Sequence, residues 1–242
     1  MNESDVMITT ADGEMGSFIT YPEEGGPFPV ILFLMDAPGK REELHMMARR
    51  IASVGYYVVL PNLYYRRTDQ FQVDGSEASR RVMFEHMNSL SNQMVAQDCR
   101  AILSFTNSQP EAAHGAAGAV GYCMSGPFAL YLAGVMADRI KASASIHGVR
   151  LYTDADDSPH LQAQHISGEV YIACAETDEY APPEMIASLQ DHLSTLPIDY
   201  RVEWYPGTEH GFVFPDRVGK YHMQSAERHW ERLFAMFDRR LR

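Results

Sequence analysis

Cysteine is scarce in this chain. Its 242 residues hold three, Cys99, Cys123 and Cys174, an odd number at long spacings that excludes a disulfide framework and fits no zinc cluster. Such usage suits a reducing compartment. Basic residues are also few: 20 Lys and Arg stand against 32 Asp and Glu, a formal net charge of -12. A polyanion meets general repulsion from that charge, so no nucleic-acid partner is expected. No apolar run is long enough to span a bilayer, and the longest, Pro29 to Met35, has the length of a buried strand. The opening Met1-Asn2-Glu3-Ser4-Asp5 lacks the basic and apolar regions of a secretion signal. These absences predict a cytoplasmic protein with no membrane partner. No repeat, low-complexity tract or linker divides the chain, which predicts one domain over residues 1–242. His-Glu-x-x-His is missing, and Asp154, Asp156 and Asp157 match no calcium loop, so neither metal nor cofactor is expected.

What is present is alternation. Val6–Thr10 and Gly16–Tyr21 flank an Asp-Gly turn signal at Asp12-Gly13 and predict an antiparallel hairpin at a sheet edge. From residue 29 onward, apolar or β-rich segments near 29–35, 56–61, 116–121, 142–146, 169–175 and 199–205 alternate with stretches of helical periodicity. One of these, 79–107, is expected to break near Asn88–Asn92. The pattern implies an α/β fold with a mainly parallel sheet, helices on both faces and the N-terminal hairpin at one edge. Val95, Cys99, Ile102 and Thr106 share one helix face, and Cys174 lies inside a strand. Both cysteines read as packing residues.

Cys123 is different. Gly121-Tyr122-Cys123-Met124-Ser125-Gly126 joins an apolar strand to a helix that opens with Pro127, a residue tolerated in a helix's first turn. An abrupt strand-to-helix turn needs small neighbours and leaves its tip residue exposed beside free backbone N–H groups, where an oxyanion is favoured. In parallel sheets, chemistry collects beyond the carboxyl ends of the strands. Asp36, Cys123, His147, Asp178 and His210 all end or follow predicted strands. A thiol ionises only slightly near neutrality and needs a histidine to take its proton, with a carboxylate to orient that histidine. Cys123, Asp178 and His210 supply this set in the nucleophile, acid, histidine order of α/β hydrolases. His147 competes with His210 by position but precedes the acid. Glu176 and Glu179 compete with Asp178, and Ser125 is an alternative nucleophile two positions deeper in the turn.

Together, the Gly-x-Cys-x-small-Gly segment, Asp178 before a proline-containing loop, and Glu209-His210-Gly211-Phe212 resemble the dienelactone hydrolase family of α/β hydrolases. Asp36-Ala37-Pro38-Gly39 and Pro61-Asn62-Leu63-Tyr64-Tyr65-Arg66 are similar to segments of its bacterial members. The resemblance runs from about residue 5 to residue 240. It implies a cysteine hydrolase of enol lactones with Cys123, Asp178 and His210 as triad and the backbone N–H groups of Met124 and Ala37 as oxyanion hole. By the same resemblance, Arg66, Arg81 and Arg217 are candidates for binding substrate, with Asp36 and Tyr122 beside them. Two departures stand out: Ser125 replaces a usual glycine, and Asp36 replaces a glutamate that contacts the thiol in the best-known members.

Chemistry narrows the substrate independently. When a thiolate adds to a plain alkyl ester, the tetrahedral intermediate tends to expel the thiolate again, because the alkoxide is the more basic leaving group. An enol or phenol leaving group reverses that balance. The expected partner is therefore a small-molecule activated ester or lactone. A catalytically silent binding protein of the same fold, with Cys123 as a ligand contact, is the alternative.

Overall fold

The computed structural model describes residues 1–242, and its centre is one eight-stranded sheet in the order β1-β2-β4-β3-β5-β6-β7-β8. The strands are β1 (Asn2–Thr10), β2 (Gly13–Tyr21), β3 (Phe28–Leu34), β4 (Tyr57–Pro61), β5 (Ala112–Tyr122), β6 (Ile140–Ile146), β7 (Glu169–Thr177) and β8 (Asp199–Glu209). The hairpin β1–β2 is antiparallel, and β2 also joins β4 antiparallel. Every other pairing is parallel.

Burial follows from this topology. The central strands β3, β4 and β6 are buried along nearly their whole length, as expected where helices cover both faces. Edge strand β8 alternates between buried and exposed side chains over much of its length. The helices are α1 (Glu42–Ala52), α2 (Glu77–Asn88), α3 (Asn92–Thr106), α4 (Gly126–Val135), α5 (Pro183–Ser194) and α6 (Met223–Leu241). One sheet face carries α1 and α6, joined by the Arg50–Glu227 ion pair. The other carries α3 and α4, which pack on each other. A continuous core of 68 buried residues runs through both layers.

The expected break in the 79–107 helix falls at residues 89–91, where the Ser91 side chain accepts a hydrogen bond from the Met94 N–H and caps α3. Serine at this position satisfies one of the N–H groups that a new helix leaves free. Two features go beyond the sequence reading. Strand β5 starts four residues early, at Ala112, through a stretch that includes the exposed His114 and Gly115. A short 3₁₀ turn at Pro159–His165 lies inside what reads as an acidic loop.

Cys99 and Cys174 are both buried, as their positions predict. Burial raises both thiols, Cys174 to about 12. Neither carries thiolate near neutral pH.

Candidate active site

The site forms where five strands end. Between β5 and α4 the chain turns through Cys123, whose φ is +53°, a left-handed conformation that non-glycine residues seldom adopt. Glycines make room for it. A Cβ on Gly121 would lie 1.9 Å from the Ser125 carbonyl oxygen, and one on Gly126 would lie 2.4 Å from the Gly148 Cα. The Ser125 hydroxyl is wholly buried and donates to the Met35 carbonyl. Its oxygen is thus engaged inside the elbow, whereas Cys123 is partly exposed and opens into a cavity of about 820 Å³.

His210 follows β8 and shares that cavity with Cys123. Its Nδ1–H donates to Asp178 Oδ2 at 2.7 Å, while Asp178 Oδ1 accepts the N–H groups of Tyr180 at 2.9 Å and Ala181 at 3.1 Å. The acid is thereby oriented on both oxygens. Glu176 accepts from the Gly207 N–H instead, and Glu179 is exposed. Burial opposes a charge on His210, but the Asp178 carboxylate and the neighbouring Cys123 outweigh it and hold the imidazole up to about 9. Its Nε2 has no hydrogen-bond partner in the protein, leaving that nitrogen free to exchange a proton with the thiol.

His147, the competing histidine, packs edge-to-face on His210 with ring centroids 4.7 Å apart. It is fully buried, and neither of its ring nitrogens has a partner. Burial and the adjacent His210 hold it neutral. It reaches neither the acid nor the thiol through a hydrogen bond.

Of the residues singled out for substrate binding, only Arg217 lines the cavity. Arg66 is turned away toward α3 and the β1–β2 turn, clamped by both oxygens of Asp98 at 2.7 and 2.8 Å and by Asp12. Arg81 is 77% exposed and pairs only with Glu85, one turn along α2. Tyr122 points into the core, where its hydroxyl meets His229 Nε2 at 3.2 Å. Asp36 is wholly buried between two guanidiniums, with Arg41 at 2.5 Å and Arg217 at 2.9 Å. Those ion pairs engage both of its carboxylate oxygens, so it is no free partner for the thiol.

The structure adds Arg41, Arg80 and Arg150 to the cavity wall. Arg41 bridges Asp36 and Glu43, and Glu43 also accepts the Asp216 N–H. Arg80 donates to the Tyr180 hydroxyl and Arg150 to the Asn88 side-chain carbonyl. Neither has a carboxylate partner. Arg80 neighbours Arg81, but one residue along a helix is a rotation of about 100°, enough to separate cavity from solvent. Arg150 stands in a loop whose sequence carries no signal of that role.

A mainly parallel sheet with a cysteine on a left-handed turn after one strand, a carboxylate after a later strand and a histidine after the last defines an α/β hydrolase. The model of the dienelactone hydrolase family matches residues 15–241, and the chain belongs to that family. It is similar to a Synechocystis protein assigned as a carboxymethylenebutenolidase, 23% identical over 98% of this chain and 96% of the relative. A Methylorubrum extorquens protein with the same assignment is 26% identical over 95% of this chain and 78% of its own. Among solved structures, a dienelactone hydrolase-like promiscuous phosphotriesterase from metagenomic libraries superposes with a TM-score of 0.82 at 20% identity, covering 98% of both chains. The dienelactone hydrolase of Anabaena variabilis superposes with a TM-score of 0.69 at 18% identity, over 100% of this chain and 99% of that one. No helix of the chain is long and apolar enough to cross a membrane.

Proposed function

We propose that the chain hydrolyses activated esters or enol lactones through an acyl-cysteine intermediate, with Cys123 as nucleophile, His210 as base and acid, and Asp178 as the group that orients His210. The observation that carries this reading is that Cys123 and His210 line one cavity, with the Asp178 carboxylate 2.7 Å behind the imidazole.

In the first half-reaction His210 carries the proton given up by the thiol, and the thiolate sulfur bonds to the carbonyl carbon. The oxyanion that forms is met by the backbone N–H groups of Met124, in the first turn after the strand, and Ala37, whose N–H donates to no other group of the chain. Collapse breaks the bond to the leaving oxygen, which receives the proton from His210. In the second half, water gives a proton to His210 and its oxygen attacks the thioester. The thiolate then leaves and is reprotonated. Each step uses the one proton that His210 carries.

The cavity suggests the rest of the substrate. Met83, Phe84 and Met87 of α2 give it an apolar wall, while Arg217, Arg80 and Arg150 place guanidiniums around it. Arg80 and Arg150 hold only neutral oxygens, which favours a substrate with an apolar body and an anionic group. The names of the relatives, carboxymethylenebutenolidase and phosphotriesterase, widen the panel worth testing.

The test is steady-state hydrolysis of an enol lactone, an aryl ester, a thioester, a phosphotriester and a plain ethyl ester by wild type, Cys123→Ala and His210→Ala. The first three should turn over in wild type and fall by at least about 10³-fold in either variant, with the ethyl ester slow throughout. Full activity in Cys123→Ala would overturn the reading.

A further inference from the structure

Tyr64 sits on the loop after β4 and is 1% exposed, and the mechanism above does not use it. Its hydroxyl touches both residues whose N–H groups face the developing oxyanion. The oxygen lies 2.8 Å from the Ala37 carbonyl and 3.1 Å from Met124 Sδ. A phenol has one proton to donate, and a carbonyl is a far better acceptor than a thioether, so the proton goes to Ala37 while the sulfur packs against the oxygen. Burial, helped by the nearby Asp36 carboxylate, keeps the phenol protonated.

We propose that Tyr64 is a positioning residue: by binding the carbonyl of the Ala37–Pro38 peptide it fixes Ala37, whose N–H, in the preceding Asp36–Ala37 peptide, forms one half of the oxyanion hole. The proposal rests on the hydrolase reading above. Ala37 lies in a tight turn: the Gly39 N–H donates to the Asp36 carbonyl at 3.1 Å, and Gly39 has a φ of +91°. The residue before a proline is disfavoured in the helical region that such a turn uses, so the turn needs partners beyond its own backbone. On the N-terminal side the residue is fixed by the two ion pairs of Asp36. On the C-terminal side the Tyr64 hydroxyl is the one group that binds the carbonyl. Tyr64 is itself held. Its N–H donates to the Asn62 side-chain carbonyl at 3.1 Å, the Asn62 amide donates to the carbonyls of Thr68 and Asp69, and the phenol ring packs on His86 at 5.1 Å. A donor aimed at the oxyanion accelerates reaction only if it needs no reorganisation, and this chain of contacts removes that need.

The experiment compares two reactions of the same thiol in wild type and Tyr64→Phe. Hydrolysis of an aryl acetate passes through an oxyanion. Alkylation of Cys123 by iodoacetamide displaces iodide at a saturated carbon and forms none. Tyr64→Phe should lower kcat on the ester about 10-fold, part of the loss seen when a donor is removed outright, with KM and the alkylation rate within about two-fold of wild type. Asn62→Ala, which loosens Tyr64 but keeps its hydroxyl, should show the same split at smaller size. A parallel loss of both reactions overturns the proposal, since general damage to the site does that. So does an ester kcat in Tyr64→Phe equal to that of an active wild type, which leaves the hydrolase reading intact. A wild type that alkylates normally but turns over no ester overturns the hydrolase reading and this proposal together.

Discussion

Two loops flank Cys123, one from each neighbour of β5 in the sheet, and they are built on opposite principles. On the β3 side, Asp36–Gly39 is saturated with polar partners: Asp36 takes two guanidiniums, Arg41 adds Glu43, and the Ala37 carbonyl takes the Tyr64 hydroxyl. On the β6 side, His147–Arg150 is nearly bare. His147 has an imidazole with two unpartnered nitrogens, and both His147 and Arg150 have positive φ, at +38° and +52°. This second loop is fixed by packing and backbone: the His147 N–H donates to the Ala173 carbonyl, the Val149 N–H donates to the Cys123 carbonyl, and Gly148 presses on Gly126. Under the proposed mechanism, the loop beside the developing oxyanion is held by prearranged polar partners, and the wall beside the base His210 is neutral and strained.

The contrast predicts opposite responses to deletion of a polar group, with the largest effect on the β3 side. Arg41 is four-fifths inaccessible and lies between two carboxylates that are nearly fully buried, Asp36 and Glu43. Arg41→Met leaves both charges without it. Removing one partner of a buried ion pair costs about 3–5 kcal/mol, so urea unfolding should show a drop of that order, with Arg217 keeping part of Asp36 satisfied. A loss below about 1 kcal/mol would mean that the network behaves like surface charge.

A smaller effect, read through pH, sets His210 against the buried His147 of the β6-side loop. His210 titrates above the ordinary histidine value, at about 9. Between roughly pH 6.5 and 9 the folded chain therefore holds a proton that the unfolded chain has lost. Stability from that proton is complete below the unfolded value and declines as pH rises toward 9, by at most about 1.4 kcal/mol per unit. His147 and His229 run the other way. Burial holds His147 well below its ordinary value and His229 at about 3, so the unfolded chain binds protons that the folded one refuses, and stability falls as pH drops below about 6.5. Unfolding free energies across pH 5–9 should peak near 6.5. In His210→Asn the alkaline decline should flatten, and in His147→Phe the acid decline should become shallower.

The same His147→Phe variant reverses the Arg41 result at neutral pH. A phenyl ring fills the pocket beside Phe212 and Phe214 without stripping two nitrogens of water, so stability should rise by about 1 kcal/mol. It should be read at pH 7.5, above the range in which His147 takes a proton in the unfolded chain.

Much of this was legible in the sequence, for a physical reason. Alternating apolar strands and amphipathic helices are local signals, and in a parallel sheet they bring Cys123, Asp178 and His210 to one end before any contact is known. The elbow was legible from Gly121 and Gly126, because only small side chains fit that turn. Partnerships were not. Arg66 sits in a segment that resembles the family's, yet Asp98, 32 residues away, turns it outward. Tyr122 adjoins Cys123, but successive residues along a strand point to opposite faces, and its hydroxyl goes to His229. Arg41 and Arg150 carry no pattern at all, since loops that take their shape from ion pairs and packing have no period to read.

Arg81 offers the smallest effect and a clean check on which arginine of α2 faces the site. Arg80 reaches the Tyr180 hydroxyl at 3.2 Å, and Tyr180 packs on His210 with ring centroids 4.9 Å apart. Arg81, one residue later, faces solvent and meets Glu85 at 3.7 Å. An exposed pair of that kind contributes roughly 0.3–0.5 kcal/mol. Arg81→Ala should therefore leave kcat/KM on an anionic aryl ester within about two-fold of wild type and move the unfolding midpoint little. Arg80→Ala should raise KM for the same ester by about 10-fold, the loss of one charge-assisted hydrogen bond, and should have much less effect on a neutral aryl acetate. If the two variants behave alike, α2 presents both arginines to the substrate, and the helix has a different rotation about its axis when substrate is bound.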